Sequence, residues 1–569
     1  MALNSLIDYI ANSQITKEIV ENIKLNKGLN IIGSNRYAKS IIVNAISSIF
    51  KKDIVLICTN NELAYRWYGY FQSINNDNNI LYYPANENLP YEKICKSTEV
   101  EYAQLNVINQ IINNESNRNI IISTERSLQP HLLNKSYFIE NNFKIQKGDN
   151  YEIKDLINKF ILLGYSQEEV TSIEGKWSRR GDIVDIFPVN NDVPIRIEFY
   201  DNNVDKIREY DPSSQKTLDT IKEINITQSG SYQKIKNELD KLSKDKTFYI
   251  QESKSKRNLD RYLGIVEDLP NNLLNFIHKD CLIIIDEIDQ CKKYTENWFN
   301  DSENNFNHNK EEIINMLVSN NIDKNIEKNL HQNTKEIYQQ LRNFDVINFF
   351  EFESKNYNTN NFLLSDKIIK SPSKNISKLS SEINEFQKNN NKVWILSAQP
   401  LRTNTLLNEH ECFSKYIENK NDKKAIQTSM KYSTPIIIKN KNNYAIEGFH
   451  LPIWKIVLIT DKELYDQNNL TSDIYIRKRR KSVSKSINLN KINQGDYIVH
   501  KNHGIGRFLK IEKINIIGES RDYLVIQYLD GKISVAADQL GSINKYRGSG
   551  NIKPKINKLG GTEWFKIKE

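Results

Sequence analysis

The sequence predicts a multidomain α/β protein, interrupted by an α+β insert and followed by a small C-terminal β-barrel. Three observations carry that prediction. Buried strand-length runs such as Ile54–Cys58 and Leu282–Ile285 alternate with helical patterns, the signature of a doubly wound parallel sheet. Near Asn142 the apolar period changes to two. After Asn493 short strands alternate with glycine turns. The 569 residues correspond to roughly four domains of about 150 residues each.

The elements follow in order. Leu29–Ile32 reads as a strand, Ser40–Phe50 as a helix and Ile54–Cys58 as a buried strand. A helix over Glu62–Gln72, a strand at Ile80–Tyr83, a helix over Glu99–Asn113 and a strand at Asn119–Ser123 continue the alternation. Ile183–Phe187 and Ile195–Phe199 alternate apolar and polar residues around a Pro/Asn/Asp turn, as in an antiparallel hairpin. The α/β texture returns and ends in Cys281–Glu287. Residues 297–345 are polar and Asn-rich, which fits a solvated helical excursion with a helix over Lys335–Asn343. A second α/β block, about 360–470, carries strands at Val393–Leu396 and Ile456–Thr460. The basic run Arg477–Lys481 with serine flanks reads as a linker. The terminal strands are Tyr497–His500, Gly506–Ile514, Tyr523–Tyr528 and Lys532–Ala536.

Composition excludes several classes. The chain is 38% hydrophobic and 26% charged, which supports folded cores over disorder. No apolar run approaches the roughly 20 residues of a membrane helix, and Met1–Ile10 lacks a basic leader. Cys58, Cys95, Cys281, Cys291 and Cys412 are scattered and form no metal-binding spacing, so reduced thiols and a cytoplasmic location are expected. Charge is uneven: residues 471–569 hold 20 Lys+Arg against 9 Asp+Glu, so the net +8 leaves about −3 for the rest. The basic excess therefore belongs to the C-terminal part.

Three segments have chemical potential. Gly33-Ser-Asn-Arg-Tyr-Ala-Lys39-Ser40 is one residue from a phosphate loop, with Ala38 where a glycine lets backbone wrap a phosphate. Cys281–Glu287 is the matching strand, ending in Asp286-Glu287 as in a strand that holds Mg²⁺. Gly33, Lys39, Ser40, Asp286 and Glu287 thus form a degenerate nucleotide site, and a fold without a working site is the expectation. Arg179-Arg180 beside a hairpin suits a protein interface. Asp522–Tyr528 has alternating faces and reads either as an edge strand open to a partner's sheet or as an internal barrel strand. No triad or carboxylate pair marks a catalytic centre, and no second phosphate-loop-like segment is present.

Gly175–Pro188, with Val193–Phe199 and Ile207–Pro212, resembles the second domain shared by bacterial excinuclease B and transcription-repair coupling factors. Leu89–Glu92, Gly448–Leu464, Gly495–Gly506, Tyr523-Leu524 and Leu559–Trp564 are similar to the coupling factors specifically, in their N-terminal half. The resemblance implies the following map. Residues 1–135 and 226–360 form an excinuclease-B-like α/β module, and 136–225 the inserted domain that contacts excinuclease A. Residues 361–470 form a further α/β domain, and 471–490 a basic linker. Residues 491–550 form a Tudor/CarD-like barrel that contacts RNA polymerase, and 551–569 begin a connector to an absent translocase.

The implied function is transcription-coupled nucleotide excision repair: recognition of RNA polymerase stalled at DNA lesions and recruitment of the excinuclease. The alternatives are an excinuclease-B-like nucleotide-binding repair protein and a CarD-like transcription regulator. Arg179, Arg180 and Phe187 would touch excinuclease A. Asp522, Tyr523, Leu524, Val525 and Ile526 would touch the polymerase β subunit, with Leu524 as anchor. Gln167 and Ser178 depart from arginines common in the family. The short segment between Ile80 and Tyr102 has no room for excinuclease B's damage-verifying hairpin. In the family, ATP hydrolysis, Mg, helicase-like DNA translocation and most DNA contact belong to the translocase part. For this chain alone no cofactor, no metal, no catalytic residue, no ATP turnover and no membrane contact are expected.

Overall fold

A computed structural model describes residues 2–26, 28–74, 78–86, 98–113, 118–243, 263–266, 271–319, 332–352, 360–365, 376–418, 423–440, 446–465, 494–500, 504–516, 519–536, 543–545 and 556–558. Cys95, Leu89–Glu92, the 471–490 linker and Leu559–Trp564 lie outside these residues.

The first part of the chain lays down β1 (Gly28–Gly33), β2 (Ile54–Cys58), β3 (Asn79–Tyr83) and β4 (Asn119–Thr124). An insert follows with β5 (Phe143–Gln146), β6 (Ser166–Gln167), β7 (Lys176–Arg180) and β8 (Ile183–Ile186). It continues through β9 (Ile195–Tyr200), β10 (Asn203–Tyr210), β11 (Thr217–Ile221) and β12 (Glu223–Ile226). The chain then returns with β13 (Leu282–Asp286), β14 (Asp345–Phe350) and β15 (Asn361–Ser365).

The first sheet has the order β15-β1-β14-β13-β2-β4-β3, and every pairing is parallel. Its strands are runs of Ile, Leu and Val because a parallel sheet is covered on both faces. β2 and β13 are buried at every position. The helices Ala2–Ala11, Gln14–Asn26, Arg36–Phe50 and Asn61–Ile74 cover one face, and Thr98–Asn113 and Thr334–Leu341 help cover the other. The sheet extends to β15, so the first unit ends near Ser365 and not at the expected residue 360. The polar excursion contains the helix Ile288–Ser319.

The insert is a six-stranded sheet, β11-β10-β9-β8-β7-β6, beside the β12-β5 pair. β9 shows why it folds: Ile195, Ile197 and Phe199 pack against Leu156 and Phe160 of the helix Ile153–Leu162, while Arg196, Glu198 and Tyr200 face the other way. The expected β8–β9 hairpin pairing is present.

The next unit carries β16 (Lys392–Ser397), β17 (Lys415–Tyr416), β18 (Ile436–Lys439), β19 (Phe449–Leu451) and β20 (Ile456–Thr460), in the order β17-β18-β16-β20-β19. It is fused to the first unit by a common core in which Trp394, Ile436, Phe449 and Trp454 join the N-terminal helices. Trp454 Nε1 donates to Ser13 Oγ at 2.9 Å, and Asn35 Nδ2 donates to the Gly448 carbonyl at 2.8 Å.

The last sheet comprises β21 (Tyr497–His500), β22 (Gly504–Ile516), β23 (Glu519–Gln527), β24 (Lys532–Ala536) and β25 (Ile543–Lys545), ordered β24-β23-β22-β21-β25. Among the described residues no pairing joins β24 to β25, so closure of these strands into the expected barrel is not shown. A Cβ on Gly506 would stand 2.6 Å from Ile526, which accounts for the glycine there. Asn557 is buried and bonds Ile505 and Leu529, so part of the supposed connector packs on this sheet.

Candidate functional sites

The phosphate-loop-like segment folds differently from a phosphate loop. Gly33 and Ser34 turn the chain with positive φ, and the helix begins at Arg36, not at the expected Ser40. Asn35 caps that helix, its Oδ1 accepting from Ala38 N at 2.9 Å. The segment that should wrap a phosphate is thus already helical, and its first turn is capped from within.

The side chains that such a site would use face one another. Lys39 is buried, and Nζ donates to the Phe350 carbonyl at 3.1 Å beside the Phe349 ring. Asp286, at the end of β13, accepts Arg36 Nε at 2.7 Å and Trp67 Nε1 at 2.9 Å. Ser40 Oγ donates to the Tyr37 carbonyl, and Glu287 accepts the Glu351 amide. Burial lowers the Lys39 pKa against the pull of Asp286 and Glu287, and burial raises that of Glu287. Burial also acts to lower the Arg36 pKa, but Asp286 outweighs it and the net shift is upward. Lys39 does not reach toward solvent, the helix start is capped and the aspartate is engaged, so these residues do not fit a nucleotide. Sequence reasoning missed Arg36, which lies one turn before Lys39 and supplies Asp286 with its cation.

The second site lies at one end of the insert sheet. Arg179 and Arg180 end β7 and are exposed, and Arg179 Nε donates to the Gly181 carbonyl at 2.9 Å. Phe187 is corrected: it is only 3% exposed, and its backbone bonds Gly175 and Lys176, so its ring offers a partner no surface. Ser178 is buried, accepting from Thr171 Oγ1 at 2.9 Å, while Gln167 is exposed.

The third site is β23, and the edge-strand reading is corrected. β22 pairs on one side of it and β24 on the other. Leu524 and Ile526 are fully buried and Val525 nearly so. Over Tyr523–Gln527 the strand is bonded on both sides and has no free backbone to donate, and the buried Leu524 cannot anchor a partner, whereas Glu519–Asp522 pairs with β22 alone in the described register. Asp522 and Tyr523 take their places in the strand, and their side chains lie outside the described residues. Among the described residues the outer edge of the sheet falls to β24.

Comparison with known proteins follows this geometry. Residues 143–232 match the family model described as the UvrB interaction domain. Residues 368–466 match the cyanobacterial Mfd Rossmann-like domain, and residues 492–547 the CarD-like/TRCF RID domain. A transcription-repair-coupling factor of Bacillus subtilis (strain 168) is 26% identical over all of this chain and 49% of its own length. One from Staphylococcus haemolyticus (strain JCSC1435) is 25% identical over 99% of this chain and 48% of its own length. The chain is similar over its whole length to transcription-repair-coupling factors. It spans about half the length of the curated coupling factors it matches. The insert, with the second site, and the terminal sheet, with the third, are the segments that match the UvrB interaction domain and the CarD-like/TRCF RID domain. Among the described residues no helix is long and apolar enough to cross a membrane.

Proposed function

We propose that this chain acts in transcription-coupled nucleotide excision repair as a bridge between RNA polymerase and the excinuclease. The observation that carries the reading is the order of modules. A UvrB-type interaction domain and a polymerase-interacting-type domain occur on one chain that aligns throughout with coupling factors. The insert presents Arg179 and Arg180 to excinuclease A. The terminal sheet meets the polymerase β subunit through the outer edge of β24, whose backbone can extend a partner sheet. The alternative, an excinuclease-B-like nucleotide-binding protein, is disfavoured by the buried Lys39 and the Arg36–Asp286 pair.

The test is hydrogen exchange on the full chain, alone and with RNA polymerase, then with excinuclease A added. Protection of the Lys532–Ala536 amides by polymerase, and of the β7–β8 turn by excinuclease A, is expected. Binding of either partner without protection of its segment would refute the assignment of that segment. Failure to bind both partners at once would refute the bridge.

A further inference from the structure

We infer that Tyr200 is the aromatic anchor of the excinuclease A contact, working with Arg180 on one open end of the insert sheet; this rests on the functional reading above. The inference starts from register. Arg180 pairs with Ile183, and Ile183 with Glu198. Tyr200 lies two residues beyond Glu198 on β9, so it faces the same side of the sheet as Arg180. β7 and β9 are separated by one strand, which sets the two Cα atoms roughly 12 Å apart at about 4.8 Å per strand and 3.4 Å per residue.

The two residues also share one end of the sheet. The β7–β8 turn holds Gly181 and Asp182, the β9–β10 turn holds Asp201 and Asn202, and Phe199 N donates to the Asp182 carbonyl at 2.9 Å. Part of this face is covered. Tyr210 Oη donates to the Thr171 carbonyl, and Arg196 forms a double hydrogen bond with Asp185 while lying over the Tyr210 ring. The coverage stops short of the Arg180 end.

Tyr200 is 75% exposed there, although its strand neighbours Phe199 and Ile197 are buried. Its nearest same-face acid, Glu198, is already paired with Arg208, and Asp205 with Lys206. Arg180 is thus left for a partner's carboxylate and the Tyr200 ring for an apolar pocket beside it. Tyrosine and arginine are the residues that dominate interface energetics, because each adds contact area and a directed polar group. Phe187 was expected to supply the aromatic contact, and its burial moves that role to Tyr200.

The experiment measures binding of the full chain to purified excinuclease A by calorimetry, with thermal unfolding as the control for folding. Tyr200→Ala is expected to weaken binding at least 10-fold, Tyr200→Phe less than 3-fold and Arg180→Ala at least 10-fold, with unfolding temperatures unchanged. Unaltered affinity of Tyr200→Ala would overturn the anchor, whatever Arg180→Ala does. If Arg180→Ala still weakens binding in that case, the functional reading survives. An unsubstituted chain that does not bind excinuclease A would overturn that reading, and the anchor with it.

Discussion

Asp286→Ala is expected to act on stability and not on nucleotides. In a working phosphate loop the equivalent change removes metal binding and leaves the fold standing. Here the carboxylate holds Arg36 Nε at 2.7 Å and Trp67 Nε1 at 2.9 Å. Trp67 is fully buried, so its indole N–H would lose its acceptor with no water to replace it, a cost of about 1–3 kcal/mol. Arg36 is about a quarter exposed, so its loss is the smaller, about 1 kcal/mol once solvent screening is allowed for. The net is about 3 kcal/mol, roughly 100-fold in local opening. Hydrogen exchange of the Leu282–Ile285 amides in the intact chain reads it directly. Acceleration below 3-fold, or a measurable change in ATP affinity, would refute the argument. Lys39→Met supplies the counterpart: it removes a charge that burial already disfavours, and exchange is expected to stay the same or slow.

The other predictions concern each remaining unit. Leu524→Arg places a guanidinium in a fully buried position, so it should unfold the terminal sheet, where even Leu→Ala costs about 2–5 kcal/mol; a circular dichroism spectrum and melting curve like those of the unaltered chain would refute this. Glu125 is buried and hydrogen-bonded by Tyr338, and burial pushes its pKa up to about 7. The folded state therefore binds the extra proton, and stability should fall as pH rises from about 4.5 to about 7. Glu125→Gln should remove that slope in urea titrations, and an unchanged slope would assign it elsewhere. Gly175 has φ +74°, and a Cβ there would stand 2.2 Å from Tyr102 Oη. Gly175→Ala should destabilise by about 2 kcal/mol or more, and Tyr102→Ala should recover the steric part only; additivity of the two changes would refute the contact.

Much of the fold was legible because strand-length apolar runs have few alternatives. Ile54–Cys58 and Ile456–Thr460 are strands at the stated bounds. β14 and β18 were not read, although Asp345–Phe350 and Ile436–Lys439 are strands. β14 follows an Asn-rich stretch whose polarity masked it, and β18 is only four residues long. The sites were less legible than the fold. Alternation could not tell whether β23 is an edge or an interior strand, since that depends on where β24 pairs. Phe187 sits at a strand end where sequence does not fix which way the ring turns. Tyr200 was hidden for the opposite reason: in Ile195-Arg-Ile-Glu-Phe-Tyr it reads as one more strand aromatic, and only register places it outside.

The two α/β units share a feature at the place where such sheets take ligands. Sheets of this class take ligands at the carboxyl ends of their strands. In the first unit Asp286 stands there, bonded to Arg36 and Trp67. In the second, Asp461 follows β20 and its Oδ2 accepts Ala398 N at 2.7 Å, in the turn after β16 that starts the helix Pro400–Glu409. Backbone donors at such a turn are what a phosphate would use, and here an internal carboxylate uses one. Both carboxylates are nearly inaccessible to water. In each unit an internal carboxylate thus occupies the place where a ligand would sit. The proposed partner surfaces, the Arg180–Tyr200 end of the insert and the outer edge of β24, lie away from both carboxylates.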